Sequence, residues 1–170
     1  MARQDGPFKY DVYLGFSVHD MVMMHRLQEK LAHHDILCYP KYNAADSQQS
    51  IKTAICQGVA RSQKCLLYVS QSFIEDGWYI FEVAEVLRKA KRFSRDMLII
   101  LKDAQLAVLP SDLSGFAVHD VTDARMLEDQ QFLAGLAAAL KKGISFTQYH
   151  IISCICIRLL AHKTQTPDNA

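Results

Sequence analysis

Residues 65–82 read CLLYVSQSFIEDGWYIFE, and this stretch decides the fold class because it contains a complete passage from a strand to a helix. The apolar residues 65–69 do not alternate with polar ones, which is typical of a strand that is buried on both faces of a sheet. After a short polar segment, apolar residues recur at helical spacing, at Ile80, Val83, Ala84 and Leu87. A buried strand followed by an amphipathic helix is the unit of a parallel α/β sheet.

The same unit repeats along the chain. Five buried strands are predicted, at Tyr10–Phe16, Ile36–Tyr39, Cys65–Val69, Met97–Leu101 and Phe116–Val121. Amphipathic helices are predicted after the first three strands and after the last. The first is expected to begin at Ser17, a preferred N-cap residue, with Asp20 adding negative charge near its first turn. The pattern predicts a five-stranded parallel sheet with helices on both faces, a flavodoxin-like, three-layer α/β fold.

Length and charge limit the domain organisation and the partners. The chain has 170 residues and a formal net charge of +1, so its size suits one domain and its charge gives no long-range attraction to nucleic acid. We expect an amino-terminal arm at 1–8, a domain at 9–143 and a tail at 144–170. The tail has an apolar patch at 151–157 that is too short to span a bilayer, and its last residues are expected to be disordered. No transmembrane segment is predicted.

The cysteines indicate the compartment. They are odd in number and lack the paired spacing of a zinc site, so we predict neither disulfides nor a metal site. The amino terminus has no apolar run of signal-peptide length. A cytoplasmic protein with buried thiols is therefore expected, its five cysteines being Cys38, Cys56, Cys65, Cys154 and Cys156.

The predicted sheet brings three segments to one edge. In a parallel sheet the loops after the strands gather along the same side, which here joins residues 16–17, 39–50 and 70–82. Glu82 lies near the start of the helix that follows the third of these segments. One interpretation makes it a functional carboxylate at this edge. The other makes it an ordinary solvated acid on a polar stripe with Glu85 and Lys89, opposite the apolar face of the helix.

These segments together resemble a known family, the Toll/interleukin-1 receptor homology (TIR) domain. The run Tyr10–Ser17 resembles the first box of the family, and Leu37–Tyr39 is similar to its second strand. The segment Val69–Phe73, followed by Trp78 and Glu82, resembles a strand-Ser-x-x-aromatic segment with Trp-x-x-x-Glu after it. The resemblance covers about residues 9 to 142 and implies the TIR fold.

The resemblance implies two classes of function. TIR domains either assemble signalling complexes through contacts between domains, or cleave the bond between nicotinamide and ribose in NAD. In the second class a carboxylate stabilises an oxocarbenium-like state, and the resemblance gives that role to Glu82. NAD is then a substrate rather than a cofactor, and the residues expected to contact it are Phe16, Ser17, Lys41 and Trp78.

The preferred interpretation is an adaptor-like signalling module of the innate-immune type, which binds other TIR domains or copies of itself. Enzymatic members often carry arginine after the first box, whereas this chain has Ser17 and Val18 there. The expected partner surface is the loop 39–50, helped by the helix after Glu75. Within the loop, the predicted contact residues are Tyr42, Asn43, Ala44, Ala45, Asp46 and Ser47.

Overall fold

The computed structural model describes residues 8–42 and 50–142. Within these ranges one parallel sheet has the strand order β1-β2-β3-β4, with β1 at Tyr10–Gly15, β2 at Ser62–Val69, β3 at Leu98–Asp103 and β4 at Ala117–Val121. The α-helices are α1 at Met21–His33, α2 at Ile51–Arg61, α3 at Gln71–Glu75, α4 at Tyr79–Arg92 and α5 at Gln130–Lys142. Short 3₁₀ helices lie at Val18–Asp20, Arg95–Met97, Ser111–Leu113 and Ala124–Glu128. The parallel α/β architecture predicted from the sequence is confirmed.

The predicted second strand is wrong in extent, so the described part of the chain has four strands rather than five. The segment 36–39 lies beside β1 but forms only an isolated parallel bridge between Val12 and Cys38. Two factors limit the pairing. Asp35 adopts a left-handed conformation just before the segment, with φ of 58°, and Pro40 has no N–H to continue the ladder. The segment still occupies the edge of β1 opposite β2.

Two apolar cores lie on opposite faces of the sheet. On one face, strand residues including Leu66 pack with Leu27 of α1 and Leu136 of α5. On the other face, Leu67 packs in a second cluster with residues of α2 and α4. Because neighbouring strand residues point to opposite faces, both must be apolar, which explains why β2 does not alternate. The three-layer arrangement predicted from the sequence is thus confirmed.

Helix α4 is rotated relative to its predicted apolar stripe. Ile80 is 81% exposed and Ala84 is also exposed, although both were expected to face the core. Its buried face includes two charged residues, Glu82 and Lys89. A pattern of apolar residues cannot reveal this face, because buried charges are tolerated only where partners from other elements satisfy them.

The remaining predictions concern the two ends of the chain, the cysteines and membrane-spanning helices. The arm and the tail lie outside the described ranges, apart from Phe8. Cys38 and Cys65 are buried free thiols, whereas Cys56 is half-exposed. Among the helices at 8–42 and 50–142, none has the length and apolar character that crossing a membrane requires.

Candidate functional site

Glu82 lies in the first turn of α4, and its side chain points into the protein. Its backbone N–H donates to the carbonyl oxygen of Trp78 at 2.8 Å, which fixes it as part of the helix start. The residue is only 1% exposed. The interpretation of Glu82 as a solvated acid is therefore wrong.

The carboxylate of Glu82 is held by Lys41 and Tyr13. The Lys41 ammonium donates to both carboxylate oxygens, at 2.8 Å to Oε1 and 2.7 Å to Oε2. The Tyr13 hydroxyl, from β1, donates to Oε1 at 2.6 Å. Side chains from two other parts of the chain thus bind the buried carboxylate of α4, and both of its oxygens are engaged.

Lys41 is itself enclosed. Its ammonium also donates to the carbonyl oxygen of Phe16 at 2.9 Å. It lies 5.3 Å from the centre of the Phe16 ring and 4.9 Å from that of Tyr42, distances at which an aromatic ring attracts a cation. The Tyr42 hydroxyl donates to the same Phe16 oxygen at 3.3 Å. The end of β1 and the start of the 39–50 loop are therefore joined through the charge of Lys41.

Gly15 makes room for the carboxylate. A Cβ atom at this position would lie 2.7 Å from Oε1 of Glu82 and 2.3 Å from Cδ2 of Leu67. Both separations are too short for non-bonded atoms. The glycine at the end of β1 thus leaves room for two close side chains, those of Leu67 and Glu82.

Burial and the ion pair shift the pKa values of Glu82 and Lys41 in opposite directions. Burial raises the pKa of the Glu82 carboxyl above its ordinary value, whereas the nearby Lys41 lowers it. Burial lowers the pKa of the Lys41 ammonium, whereas Glu82 raises it. Burial, followed by the charge of Glu82, raises the pKa of Tyr13 well above its usual value. Tyr13 therefore stays protonated, and its hydroxyl donates a hydrogen bond to the carboxylate.

The residues predicted to contact NAD occupy different environments. Phe16 and Lys41 lie with Glu82, but Phe16 contributes a carbonyl oxygen to the cluster. Ser17 is fully buried, and its hydroxyl accepts from the N–H of His19 at 3.3 Å. It therefore caps the 3₁₀ turn at Val18–Asp20, whereas α1 begins later, at Met21, with Asp20 as its N-cap, so the helix start predicted at Ser17 is wrong in position. Trp78 is 41% exposed and contacts the ring of Phe81 edge to face.

The predicted partner loop is described only at its ends. Tyr42 lies beside Lys41, whereas Asn43, Ala44, Ala45, Asp46 and Ser47 lie outside the described residues. Near the loop, the start of α4 carries an apolar patch formed by Trp78, Ile80 and Phe81. Lys52, in the first turn of α2, lies 5.5 Å above the Phe81 ring. The patch therefore adjoins the helix that follows the loop.

Sequence reasoning missed the roles of Tyr13 and Gly15 and the pairing of Lys41 with Glu82. Two signals were present in the sequence. A tyrosine within a buried strand needs a partner for its hydroxyl, and a glycine near a strand end often marks close approach of another group. The pairing of Lys41 had no such signal, because it joins residues 41 positions apart.

A family model described as TIR domain matches residues 9–144. No curated protein matches the chain at a significant level. The TIR domain of the Toll-related receptor TRR-2 from Hydra magnipapillata is 15% identical with a TM-score of 0.63, over 79% of this chain and 100% of that one.

Two further similar structures are metazoan TIR-STING receptors from C. gigas. One, in complex with 2′,3′-cGAMP, is 13% identical with a TM-score of 0.64, over 82% of this chain and 42% of that one. The other is 12% identical with a TM-score of 0.61, over 85% of this chain and 44% of that one. These likenesses show the fold, and the family model shows the membership. The chain belongs to the TIR domain family.

Proposed function

We propose that this chain is a TIR assembly module, an adaptor-like protein that works inside the cell by binding other TIR domains or copies of itself. The observation that carries the proposal is the closed state of Glu82, which is 1% exposed and bound by Lys41 and Tyr13. Because Glu82 is engaged in holding the scaffold together, the protein acts through its surface and not through chemistry at this carboxylate.

The chemistry of NAD cleavage requires a different state of the carboxylate. An oxocarbenium-like ribose is stabilised by a negative charge that faces the substrate. In this chain the Lys41 ammonium neutralises that charge at 2.7 Å. The Cβ clash at Gly15 also shows that the carboxylate fits tightly against β1. Glu82 is therefore better suited to linking β1, the 39–50 loop and α4 than to meeting a ligand.

The proposed contact surface combines the 39–50 loop with the start of α4. Ile80 is 81% exposed and Trp78 is 41% exposed, so this helix start presents apolar area to solvent. Aromatic residues at the centre of an interface contribute a large share of binding energy. The Lys41–Glu82 pair fixes the base of the loop, at Lys41, beside the start of α4.

A binding experiment with a matched control tests this surface. The tagged chain is immobilised and exposed to purified TIR domains, including its own untagged copy, and bound protein is quantified. Ile80→Asp is expected to remove most of the binding. Val108→Asp introduces the same charge at a residue that is 77% exposed elsewhere, and it is expected to bind like the wild type. Equal binding by both variants would refute the proposed surface.

NAD glycohydrolase activity is the second candidate. It is favoured by the position of Glu82, because ligands of open α/β sheets bind beyond the carboxyl ends of the strands. The aromatic rings of Phe16 and Tyr42 lie at the same place. This candidate requires Lys41 to leave the carboxylate when NAD binds. Release of nicotinamide that depends on Glu82 would favour the enzyme over the assembly module.

A further inference from the structure

A cavity of about 700 Å³ lies at the carboxyl-terminal end of α4, the opposite end from Glu82. It is enclosed by the last turns of α4, by the start of the 3₁₀ helix at Arg95–Met97 and by residues of the segment 111–116. Small-molecule sites in proteins have volumes of about 300–1,000 Å³, so a ligand of that class fits here. None of the lining residues belongs to the Glu82 cluster, so this cavity is a separate site.

Cations and hydroxyl groups supply the polar part of the lining. Lys91 and Arg95 are the cations, and Asp112 is the acid. Two cations and one acid leave the lining with a net positive charge. Serine hydroxyls add hydrogen-bond donors, and they come from Ser94, Ser111 and Ser114. The cavity therefore offers several donors and a positive charge to an anion.

The guanidinium of Arg95 is oriented by its neighbours without being neutralised. It lies 5.1 Å from the centre of the Phe116 ring, a contact that uses its face and leaves the N–H groups at its edge available. Gly115, with φ of 80°, makes room for it, because a Cβ there would lie 2.9 Å from Nη2 of Arg95. The arginines that form ion pairs within the described residues are Arg26, Arg88 and Arg125. Arg95 thus holds its charge beside the cavity with no acid bound to it.

Phosphate is the anion that suits these groups best. A phosphate monoester carries nearly two negative charges at neutral pH and has three strong acceptor oxygens. Arg95 can donate two parallel hydrogen bonds to it, and Lys91 can add a second positive charge. The serine hydroxyls can then donate to the remaining oxygen. A carboxylate has one charge and two oxygens, so it would leave more of these donors unused.

The apolar part of the lining indicates what the phosphate is attached to. Leu87, Ala90 and Phe116 line the cavity together with the cations. All three belong to the apolar cluster on this side of the sheet or pack against it, so the wall they form is firmly supported. A planar apolar group gains free energy when it leaves water for such a wall. Inorganic phosphate has no group that can use it.

We propose that this cavity binds a small phosphate monoester whose body is an apolar ring, with the phosphate on Arg95 and Lys91 and the ring against Leu87 and Phe116. Asp112 opposes the phosphate and limits its affinity. The inference is independent of the proposed assembly function, because the cavity shares no residue with the apolar patch at the start of α4 or with the 39–50 loop.

Phenyl phosphate is the probe for the first test. The isotope-labelled full chain is titrated with it, and backbone amide chemical shifts from heteronuclear NMR give the dissociation constant. We expect saturable shifts at 91–95 and 111–116, with binding about tenfold tighter than that of inorganic phosphate or of phenol. Shifts that never saturate, or either control compound binding as tightly as phenyl phosphate, would overturn the proposal.

The second test compares two arginines in similar surroundings. Arg95→Gln is expected to weaken phenyl phosphate binding by about tenfold or more, because it removes charge-assisted hydrogen bonds. Arg92→Gln is the matched control, since Arg92 also lies over a phenylalanine ring, 5.4 Å from the centre of Phe93, but does not line the cavity. It is expected to stay within about twofold of the wild type. Equal losses in both variants would reveal general attraction to a basic helix end and would overturn the site.

A third variant changes the affinity in the opposite direction. Asp112→Asn removes the acid from the lining and is expected to tighten phenyl phosphate binding by about twofold or more. Because Asp112 is exposed, the change should leave the circular dichroism spectrum as it is. A folding defect lowers affinity and cannot imitate this gain. Unchanged or weaker binding by folded Asp112→Asn would contradict the placement of the phosphate in this cavity.

Discussion

At the scale of single residues, the Lys41–Glu82 pair determines the character of the site. Two charges in the interior are stable only when their attraction and their hydrogen bonds offset the loss of water. Here the ammonium has three acceptors, namely the two oxygens of Glu82 and the carbonyl of Phe16. Tyr13 supplies a further donor to the carboxylate. The pair thus stabilises one arrangement of β1, α4 and the base of the 39–50 loop.

Removing one charge of the pair is expected to destabilise the fold far more than removing both charges. Lys41→Met leaves a buried carboxylate without its cation, which should lower the free energy of unfolding by about 3–5 kcal/mol. Adding Glu82→Gln should recover most of this loss, because the amide oxygen still accepts from Tyr13 but carries no charge. Urea unfolding of the two single variants and the double variant measures the coupling. Additive losses would show that the residues do not act as a pair.

Gly15 offers a second test at this scale. Gly15→Ala would place a methyl group against Cδ2 of Leu67 and 2.7 Å from Oε1 of Glu82, so the expected loss of stability is about 1–3 kcal/mol. The matched control is Gly77→Ala, because a Cβ at Gly77 meets nothing within 4 Å. That variant should be neutral or slightly stabilising. The midpoints of thermal unfolding compare the two, and similar midpoints would contradict the tight fit of the carboxylate.

At the scale of elements, buried lysines connect helix ends to the rest of the fold. The Lys89 ammonium donates to the carbonyl oxygens of Val59 and Ser62, where α2 passes into β2. The Lys64 ammonium, from β2, donates to the carbonyl oxygen of Ala139 in α5. Carbonyl groups in the last turn of a helix have no partner within the helix, so these side chains satisfy them.

Lys89 is therefore expected to contribute more to stability than Lys91, an exposed lysine of the same helix. Lys89→Met keeps the apolar stem but removes both hydrogen bonds, and it should lower the free energy of unfolding by about 1.5–3 kcal/mol. Lys91→Met, on the exposed side of α4, should change it by less than about 0.5 kcal/mol. Chemical denaturation distinguishes them. A loss for Lys91→Met as large as that for Lys89→Met would refute the linking role of Lys89.

Burial also protects two thiols from reaction, Cys65 in β2 and Cys38 in the segment beside β1. Burial raises the pKa of Cys38 and of Cys65 to about 12, so at pH 8 both are almost entirely protonated. Because the thiolate is the reactive form, iodoacetamide should label half-exposed Cys56 faster in the native protein. Peptide mass spectrometry follows each site, and labelling in urea provides the control. Native labelling of Cys65 as fast as that of Cys56 would contradict the burial of β2.

At the scale of the whole molecule, the sequence predicted the layers of the fold better than the side-chain contacts between distant segments. Runs such as 65–69 identify strands buried on both faces, because each face must be apolar, and the parallel α/β fold followed from them. The buried face of α4 was not predicted correctly, because Glu82 and Lys89 are buried through partners in distant segments. The extent of pairing at 36–39 was also missed, because it depends on a turn at Asp35 and on Pro40.

Release of nicotinamide distinguishes most directly between the scaffold role that we propose for Glu82 and a role in cleaving NAD. Concentrated full chain is incubated with NAD alongside Glu82→Gln, with folding of both verified by circular dichroism. Concentration matters because a site shared between copies would be silent in a dilute sample. A scaffold role for Glu82 predicts no release by the wild type above the rate without protein. Nicotinamide produced by the wild type and lost in the folded Glu82→Gln variant would contradict it.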